Sequence, residues 1–100
     1  MESDKNSITN IIKTYTRYLK LERNYSANTL QAYQNDLKWL LSYCKAEHLS
    51  PMELKLEHLE RFAGTLHEHN ISPTSQARIL SGVRSFYRFL LLDGRLNQDP

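Results

Sequence analysis

The chain has a single cysteine, Cys44, among its 100 residues, so it cannot form an internal disulfide. This scarcity is compatible with a reducing compartment. Long apolar runs are also missing: none approaches the roughly 20 residues that cross a bilayer, and the N-terminal residues lack the hydrophobic core of a secretion signal. The expectation is a cytoplasmic protein with no membrane partner.

Recognisable catalytic motifs are absent as well. No acid–base pair, metal-ligand cluster or phosphate-binding loop can be found, and 100 residues are too few for most walled active sites. His67 and His69, with His58 nearby, suggest a metal at first, but residues two apart on a helix point about 160° apart. We therefore expect solvated histidines at a helix end, no cofactor, no metal and no small-molecule substrate.

Six tyrosines raise the question of a nucleophile. A covalent tyrosine needs arginines that converge on the attacked group, and a domain of this size can hardly enclose them. Packing in the core or in a turn is the preferred interpretation for Tyr15, Tyr18, Tyr25, Tyr33 and Tyr87.

Charge is modest overall but unevenly distributed. The formal net charge is +2, and the pI near 8.8 does not by itself indicate nucleic acid. Residues 5–24 carry five basic side chains against Glu22 alone, and residues 72–92 carry three arginines and no acid. Residues 51–71 hold four glutamates against two basic side chains. If the fold keeps this segregation, one face is basic and another acidic.

Apolar periodicity predicts four helices and no strands. The first runs from about Ser7 to Glu22 and exposes a basic stripe of Lys13, Arg17 and Lys20. The second follows Ser26 as N-cap and ends near Glu47. After a single turn at 50–53, a third helix carries Leu56, Leu59, Phe62, Ala63 and Leu66 on its core face and frays near Asn70. Short connections favour a compact all-α bundle.

The fourth helix, from the Ser72-Pro73 start to the Asp93-Gly94 stop, has two contrasting faces. Its apolar arc is Ile79, Leu80, Val83, Phe86, Tyr87, Leu90 and Leu91. The opposite arc carries Thr74, Arg78, Ser81, Ser85 and Arg88, and Arg84 lies on the flank. Guanidinium groups interleaved with short hydroxyls suit phosphate oxygens and base edges, so this face is predicted to bind DNA.

The second helix repeats this arrangement. Its core arc is Leu30, Tyr33, Leu37, Leu40, Leu41 and Cys44, where Cys44 is a small buried filler. Beside the arc lies a polar stripe of Asn28, Gln31, Asn35 and Lys38, which we predict as further DNA contacts. Trp39 and Tyr43 fall off the main arc, so they either pack on a neighbouring helix or form an exposed patch.

Two stretches resemble a known family, and together they cover nearly the whole chain. Residues 18–43 resemble the opening of the amino-terminal core-binding domain of tyrosine recombinases, particularly of the Xer type, and residues 72–100 resemble its last helix and exit. The matching positions in the second stretch are Ser72, Ser75, Arg78, Leu80, Ser81, Arg84, Phe86, Tyr87, Phe89, Leu90, Gly94 and Pro100. Lys55 departs from the family, which more often has a threonine-like cap for the third helix.

The resemblance implies a compact four-helix SAM-like orthogonal bundle that closes over one side of a DNA duplex. Residues 1–6 would be a flexible leader and 7–100 the core-binding domain, with the catalytic domain absent, so that this chain alone is not an enzyme. Implied partners are double-stranded DNA at a recombination core site and other recombinase subunits. Xer-type resolution of chromosome dimers is favoured over the integrase of a phage or conjugative element.

Three questions remain open at this point. Arg78 and Arg88 are either DNA contacts, whose truncation weakens binding with little loss of stability, or solvated arginines paired with glutamates of the third helix. Arg84 divides evenly between a structural and a DNA role. The chain as a whole is either a DNA-binding module or a helical protein-interaction domain that docks a partner on a Trp39–Tyr43 ridge and on its acidic third helix.

Overall fold

The computed structural model describes residues 8–96, which form four α-helices and one short 3-10 turn. The helices are α1 (Ile8–Leu21), α2 (Ala27–Glu47), α3 (Leu56–Glu68) and α4 (Pro73–Leu92), and the turn is Pro51–Glu53. No strand occurs within residues 8–96, which confirms the all-α fold class. The leader predicted over residues 1–6 and the Asp99-Pro100 exit lie outside the described residues.

Hydroxyl side chains begin two of the helices, as the sequence predicts. Ser72 Oγ accepts a hydrogen bond from the Ser75 N–H at 3.2 Å, and Pro73 follows it at the first helical position. Ser26 Oγ likewise accepts from the Thr29 N–H at 3.2 Å. These bonds satisfy amide groups that have no partner inside the helix.

The start of α3 uses a different device, because Lys55 stands at its N-cap. Here His58 Nδ1 accepts a hydrogen bond from the Lys55 backbone N–H at 2.9 Å. The half-buried His58 therefore has a structural role, whereas His67 and His69 are exposed near the end of α3 as expected. Leu56 was expected in the core but is 61% exposed, and Leu54, in the preceding segment, is buried.

Every helix is followed by a residue with positive φ. Gly94 has φ 72° after α4, and Asn24, His48 and Asn70 have φ between 56° and 61° after the other three helices. Glycine adopts this region without strain and asparagine tolerates it. The Arg95 N–H then bonds to the Leu90 carbonyl, which satisfies an acceptor at the end of α4.

The described chain divides between Gln34 and Asn35 into two compact units, so that α2 contributes to both. In the first unit, α1 buries Ile11, Tyr15 and Leu19. Its predicted basic residues Lys13, Arg17 and Lys20 are all exposed. Tyr25 and Tyr33 contact each other, with ring centroids 5.3 Å apart.

In the second unit, the later part of α2 packs with α3 and α4. The buried residues of α4 include most of the predicted arc and also Phe89, which the sequence analysis left out. Tyr43 is 8% exposed, and its ring centroid lies 5.5 Å from that of Phe62 on α3, so it packs on a neighbouring helix. The Tyr87 hydroxyl donates to the Pro51 carbonyl and ties the 3-10 turn to α4.

Cys44 is buried in this second unit, as predicted for a small core residue. Burial raises the pKa of its thiol to about 11. The thiol is therefore protonated at neutral pH and has the character of a packing group, not of a nucleophile.

Candidate nucleic-acid interface

The outer face of α4 carries the polar residues that its periodicity predicts. Ser85 is half-buried, and the other predicted site residues on this helix, Thr74, Arg78, Ser81, Arg84 and Arg88, are exposed. The opposite side of the helix is buried, including Ile79, Val83 and Phe86. The two-faced character of α4 is thus confirmed, while the ligand of its outer face stays a prediction.

The polar stripe of α2 is exposed along its length but is shared between the two units. Asn28 and Gln31 are exposed in the first unit, and Asn35 and Lys38 are exposed in the second. Asn35 and Lys38 therefore belong to the same compact unit as α4.

An open groove of about 560 Å³ brings three of the predicted site residues together. Asn35 and Lys38 from α2 and Arg78 from α4 all line it. Trp39 and Ser42, which the sequence analysis did not assign to the site, complete the lining. The groove thus combines two cations, an amide, a hydroxyl and an indole, which are groups that can contact phosphate, sugar and base.

Arg78 is not a simple solvated arginine. Its Nη1 donates to Oδ1 of Asp36 at 2.5 Å, and the two side chains are 54% and 4% exposed. The partner therefore lies on α2, and not among the glutamates of α3 that the sequence suggested. Burial raises the pKa of Asp36, while the charge and the hydrogen bond of Arg78 lower it by less.

Gly82 makes room for this ion pair. A Cβ atom at position 82 would lie 2.5 Å from Oδ2 of Asp36, which is closer than real Cβ atoms approach their neighbours, and 3.0 Å from its Cβ, which is a tight contact. Any larger residue at position 82 would therefore require the Asp36 side chain or α4 to shift. At Gly64, in contrast, an added Cβ would meet nothing within 4 Å, so that glycine does not mark a close helix contact.

Asp36 and Gly82, which were not predicted as site residues, both had a signal in the sequence. Asp36 stands on the apolar arc of α2 with Leu37 and Leu40, where an acid is unexpected. Gly82 stands on the apolar arc of α4 beside Ile79 and Val83. The buried Asp36 fits the space that Gly82 leaves on the neighbouring helix. A buried acid also needs a basic partner, and the sequence did not indicate that this partner is Arg78.

The other cations of the candidate site differ from Arg78. Within the part of the chain that the structure describes, Lys38, Arg84 and Arg88 take part in no ion pair, while Arg61 pairs loosely with Glu57 at 4.0 Å. Arg84, Arg88, Thr74, Ser81 and Ser85 do not line the groove. They extend the polar face of α4 beyond it.

A second groove, of about 520 Å³, belongs to the first unit. Lys13, Arg17 and Lys20 line it together with the exposed Leu21 and with Gln34 of α2. Gln34 Nε2 donates to Thr16 Oγ1 at 3.4 Å and connects α2 to α1. The basic stripe predicted for the first helix is therefore a real surface feature.

Neither metal ligands nor a membrane span stand out. Among residues 8–96, no group of three or more histidine, cysteine, aspartate or glutamate side chains is placed to hold a metal ion. Within the same residues, no helix has the length and apolar character needed to cross a bilayer.

The fold and its polar grooves define a small all-α domain without strands in its described part. Residues 12–94 match the family described as phage integrase, N-terminal SAM-like domain, and the chain belongs to that family. The resemblance noted from residues 18–43 and 72–100 is thereby confirmed.

Curated relatives narrow the comparison to the Xer group. The chain is 40% identical over 90 residues to the tyrosine recombinase XerC of Pseudomonas savastanoi pv. phaseolicola, which covers 89% of this chain and 30% of that protein. It is 35% identical over 100 residues to XerC of Leptospira interrogans serogroup Icterohaemorrhagiae serovar copenhageni (99% and 32%). It is 34% identical over 92 residues to the tyrosine recombinase XerD of Listeria monocytogenes (90% and 31%). The chain thus spans about a third of the length of these relatives, and no solved structure matches it.

Proposed function

We propose that this domain binds duplex DNA as the core-binding part of a site-specific tyrosine recombinase. The observation that carries the proposal is the groove where Asn35 and Lys38 of α2 meet Arg78 of α4. Lys38 attracts phosphate through its charge, and the guanidinium, amide and hydroxyl groups of the groove provide directional hydrogen bonds. Membership in the integrase SAM-like family supports this interpretation of the chemistry.

The contacts divide by chemistry. Lys38, Arg84 and Arg88 act as phosphate contacts that bring affinity and salt dependence, since each neutralised phosphate releases counterions. Asn28, Gln31 and Asn35 carry amides that can read base edges, and Thr74, Ser81 and Ser85 supply hydroxyls for phosphate or base. Lys13, Arg17 and Lys20 of α1 are proposed as additional phosphate contacts.

The activity of the whole protein is also a proposal, because the chain spans only about a third of its relatives. Strand exchange would be carried out by a separate catalytic domain, with other recombinase subunits as partners in the cytoplasm. Because the relatives are named XerC and XerD, Xer-type resolution of chromosome dimers, which the resemblance implies, is the first candidate. The phage integrase family description keeps the integrase of a mobile element as the second candidate.

A protein-docking role is less well supported. The ridge invoked for it needed Tyr43 at the surface, but this side chain is buried against Phe62. Trp39 is half-buried, and its ring lies 5.9 Å from that of His69. Tyr43 therefore contributes nothing to an exposed ridge at this place, and the accessible part of Trp39 lies in the groove with Lys38 and Arg78.

The test is a titration of the chain into a fluorescein-labelled, mixed-sequence duplex of about 30 base pairs, which is about three helical turns. We expect saturable binding at micromolar protein or below, and a linear fall of log affinity with log salt concentration. Selection from a randomised duplex pool then reports any preferred sequence. Size-exclusion chromatography without DNA separates a monomer from a self-associating domain. Failure to bind the duplex at low salt would contradict the proposal.

A further inference from the structure

The buried acid Asp36 lies beside the groove that Lys38 and Arg78 line. Phosphate would be attracted to these two cations without it. Asp36 is 3% exposed, and its carboxylate accepts a hydrogen bond from the arginine that lines the groove. A negative charge at this place opposes the binding of an anion. Its presence, together with the space that Gly82 leaves for it, calls for a function that outweighs this electrostatic penalty.

The geometry of Arg78 supplies that function. A guanidinium group has five N–H donors in a rigid planar fork, and Asp36 occupies the Nη1 corner of it. The side chain is nevertheless 54% exposed and forms part of the groove wall. One donor of the guanidinium group is thus engaged by Asp36, while the exposed part of the group faces the groove and is available to a ligand.

We propose that Asp36 is a positioning residue that holds the Arg78 guanidinium ready to engage a backbone phosphate of DNA. This inference rests on the proposed function and deepens it, because it makes Arg78 a fixed anchor and Lys38 a flexible point charge beside it. A long side chain that is already ordered loses little conformational entropy on binding. At long range Asp36 cancels the charge of Arg78, so the pair acts as an outward dipole with directional donors.

A purely structural role for the ion pair makes the opposite prediction. If the pair only ties α2 to α4, replacing the acid by its neutral amide raises the net charge from +2 to +3 and favours phosphate. The folded Asp36→Asn protein would then bind DNA as well as the original chain or more tightly. If Asp36 positions Arg78, the same substitution weakens binding in spite of the added positive charge.

The experiment compares duplex binding by the original chain, D36N, R78A and the double variant D36N/R78A, all checked for helical content at the assay temperature. We expect D36N to weaken binding about three- to tenfold, which corresponds to the ordering cost of one long side chain. In the R78A background, Asp36→Asn should not weaken binding further, because the guanidinium group that Asp36 positions is no longer present. Glu57→Gln is the matched control, since it also removes one acid but lies exposed on α3; its binding should be unchanged or slightly tighter.

Two outcomes would overturn the inference while the proposed function stands: D36N binding as tightly as the original chain, or D36N weakening binding equally with and without Arg78. Loss of salt-dependent binding by the original chain would instead overturn the proposed function, and the inference with it.

A second measurement needs no variant and no DNA. The ¹⁵N heteronuclear Overhauser effect at Arg78 Nε reports whether this side chain is ordered in the free protein, with Arg88 as an internal reference. We expect an ordered Arg78 and a mobile Arg88. Equal mobility of the two side chains would exclude a positioning role, even if D36N proved too unstable to assay.

Discussion

Asp36 and Arg78 lie 42 positions apart in the sequence and form an ion pair in which the acid is buried and the base is half exposed. The two partners therefore depend on each other unequally. Arg78 has access to water without its partner, whereas Asp36 without Arg78 is a buried charge with no compensation.

This asymmetry predicts that Arg78→Ala destabilises the domain by about 1–3 kcal/mol, which is the cost of leaving a buried acceptor unsatisfied. This expectation differs from the sequence-based prediction, in which Arg78→Ala and Arg88→Ala both leave the stability almost unchanged. Urea unfolding followed by circular dichroism measures the change. Arg88→Ala is the matched control and should alter the free energy of unfolding by no more than about 0.5 kcal/mol. Equal stability of the two variants would mean that the ion pair contributes nothing.

The loss in Arg78→Ala should also depend on pH. Without Arg78, only burial acts on Asp36, and the pKa of its carboxyl in the folded state rises further above the ordinary 3.8. Stability is then fully present below the unfolded pKa and is lost as the pH rises through the folded pKa. We therefore expect the deficit relative to the original chain to be larger at pH 7 than at pH 4. The double variant D36N/R78A lacks this carboxyl, so a pH-dependent deficit of the same size in that protein would assign the effect to another group.

Two helical glycines should respond to alanine in opposite directions. Gly64→Ala adds a methyl group in open space and should stabilise the protein by up to about 1 kcal/mol through helix propensity. Gly82→Ala gains the same propensity but forces its Cβ against Asp36, and we expect a net loss of about 1–3 kcal/mol. Thermal or urea unfolding of both variants measures the difference. Stabilisation by both substitutions would show that Asp36 can move aside at little cost.

Arg88→Ala should weaken DNA binding through charge alone. Arg88 is exposed on α4 and takes part in no ion pair within residues 8–96, so its loss removes about one phosphate contact. The plot of log affinity against log salt should become shallower by about 1. Arg61→Ala, an exposed arginine on α3, serves as the control of equal charge change. If both arginines change the slope alike, the effect reports net charge and not a contact on α4.

Much of this architecture follows from local sequence rules. Ser26 and Ser72 cap their helices, and Gly94 ends the last one, because capping depends only on neighbouring backbone groups. The exposed and buried faces of α4 follow from its period for the same reason. Leu56 failed the same rule, since a residue in the first turn of a helix is placed by the direction in which the chain enters.

The contacts between helices could not be predicted from the sequence. That Arg78 pairs with Asp36, and not with a glutamate of α3, depends on which faces of α2 and α4 meet, and periodicity carries no such information. Tyr43 likewise had two possible places until α3 was seen to pack beside it. Trp39 and Ser42 joined the candidate site only through the groove that α2 forms with α4.

Gly82 links the buried interior of this domain to its exposed surface, because the space beside it holds the acid that binds Arg78. An alanine at position 82 would crowd the Asp36 carboxylate, and a displaced carboxylate would no longer hold the half-exposed guanidinium of Arg78. Changing the ligand preference of this surface should therefore start from the buried position 82 and not from the exposed charged residues. A variant library restricted to exposed positions would leave the contact between position 82 and Asp36 unchanged.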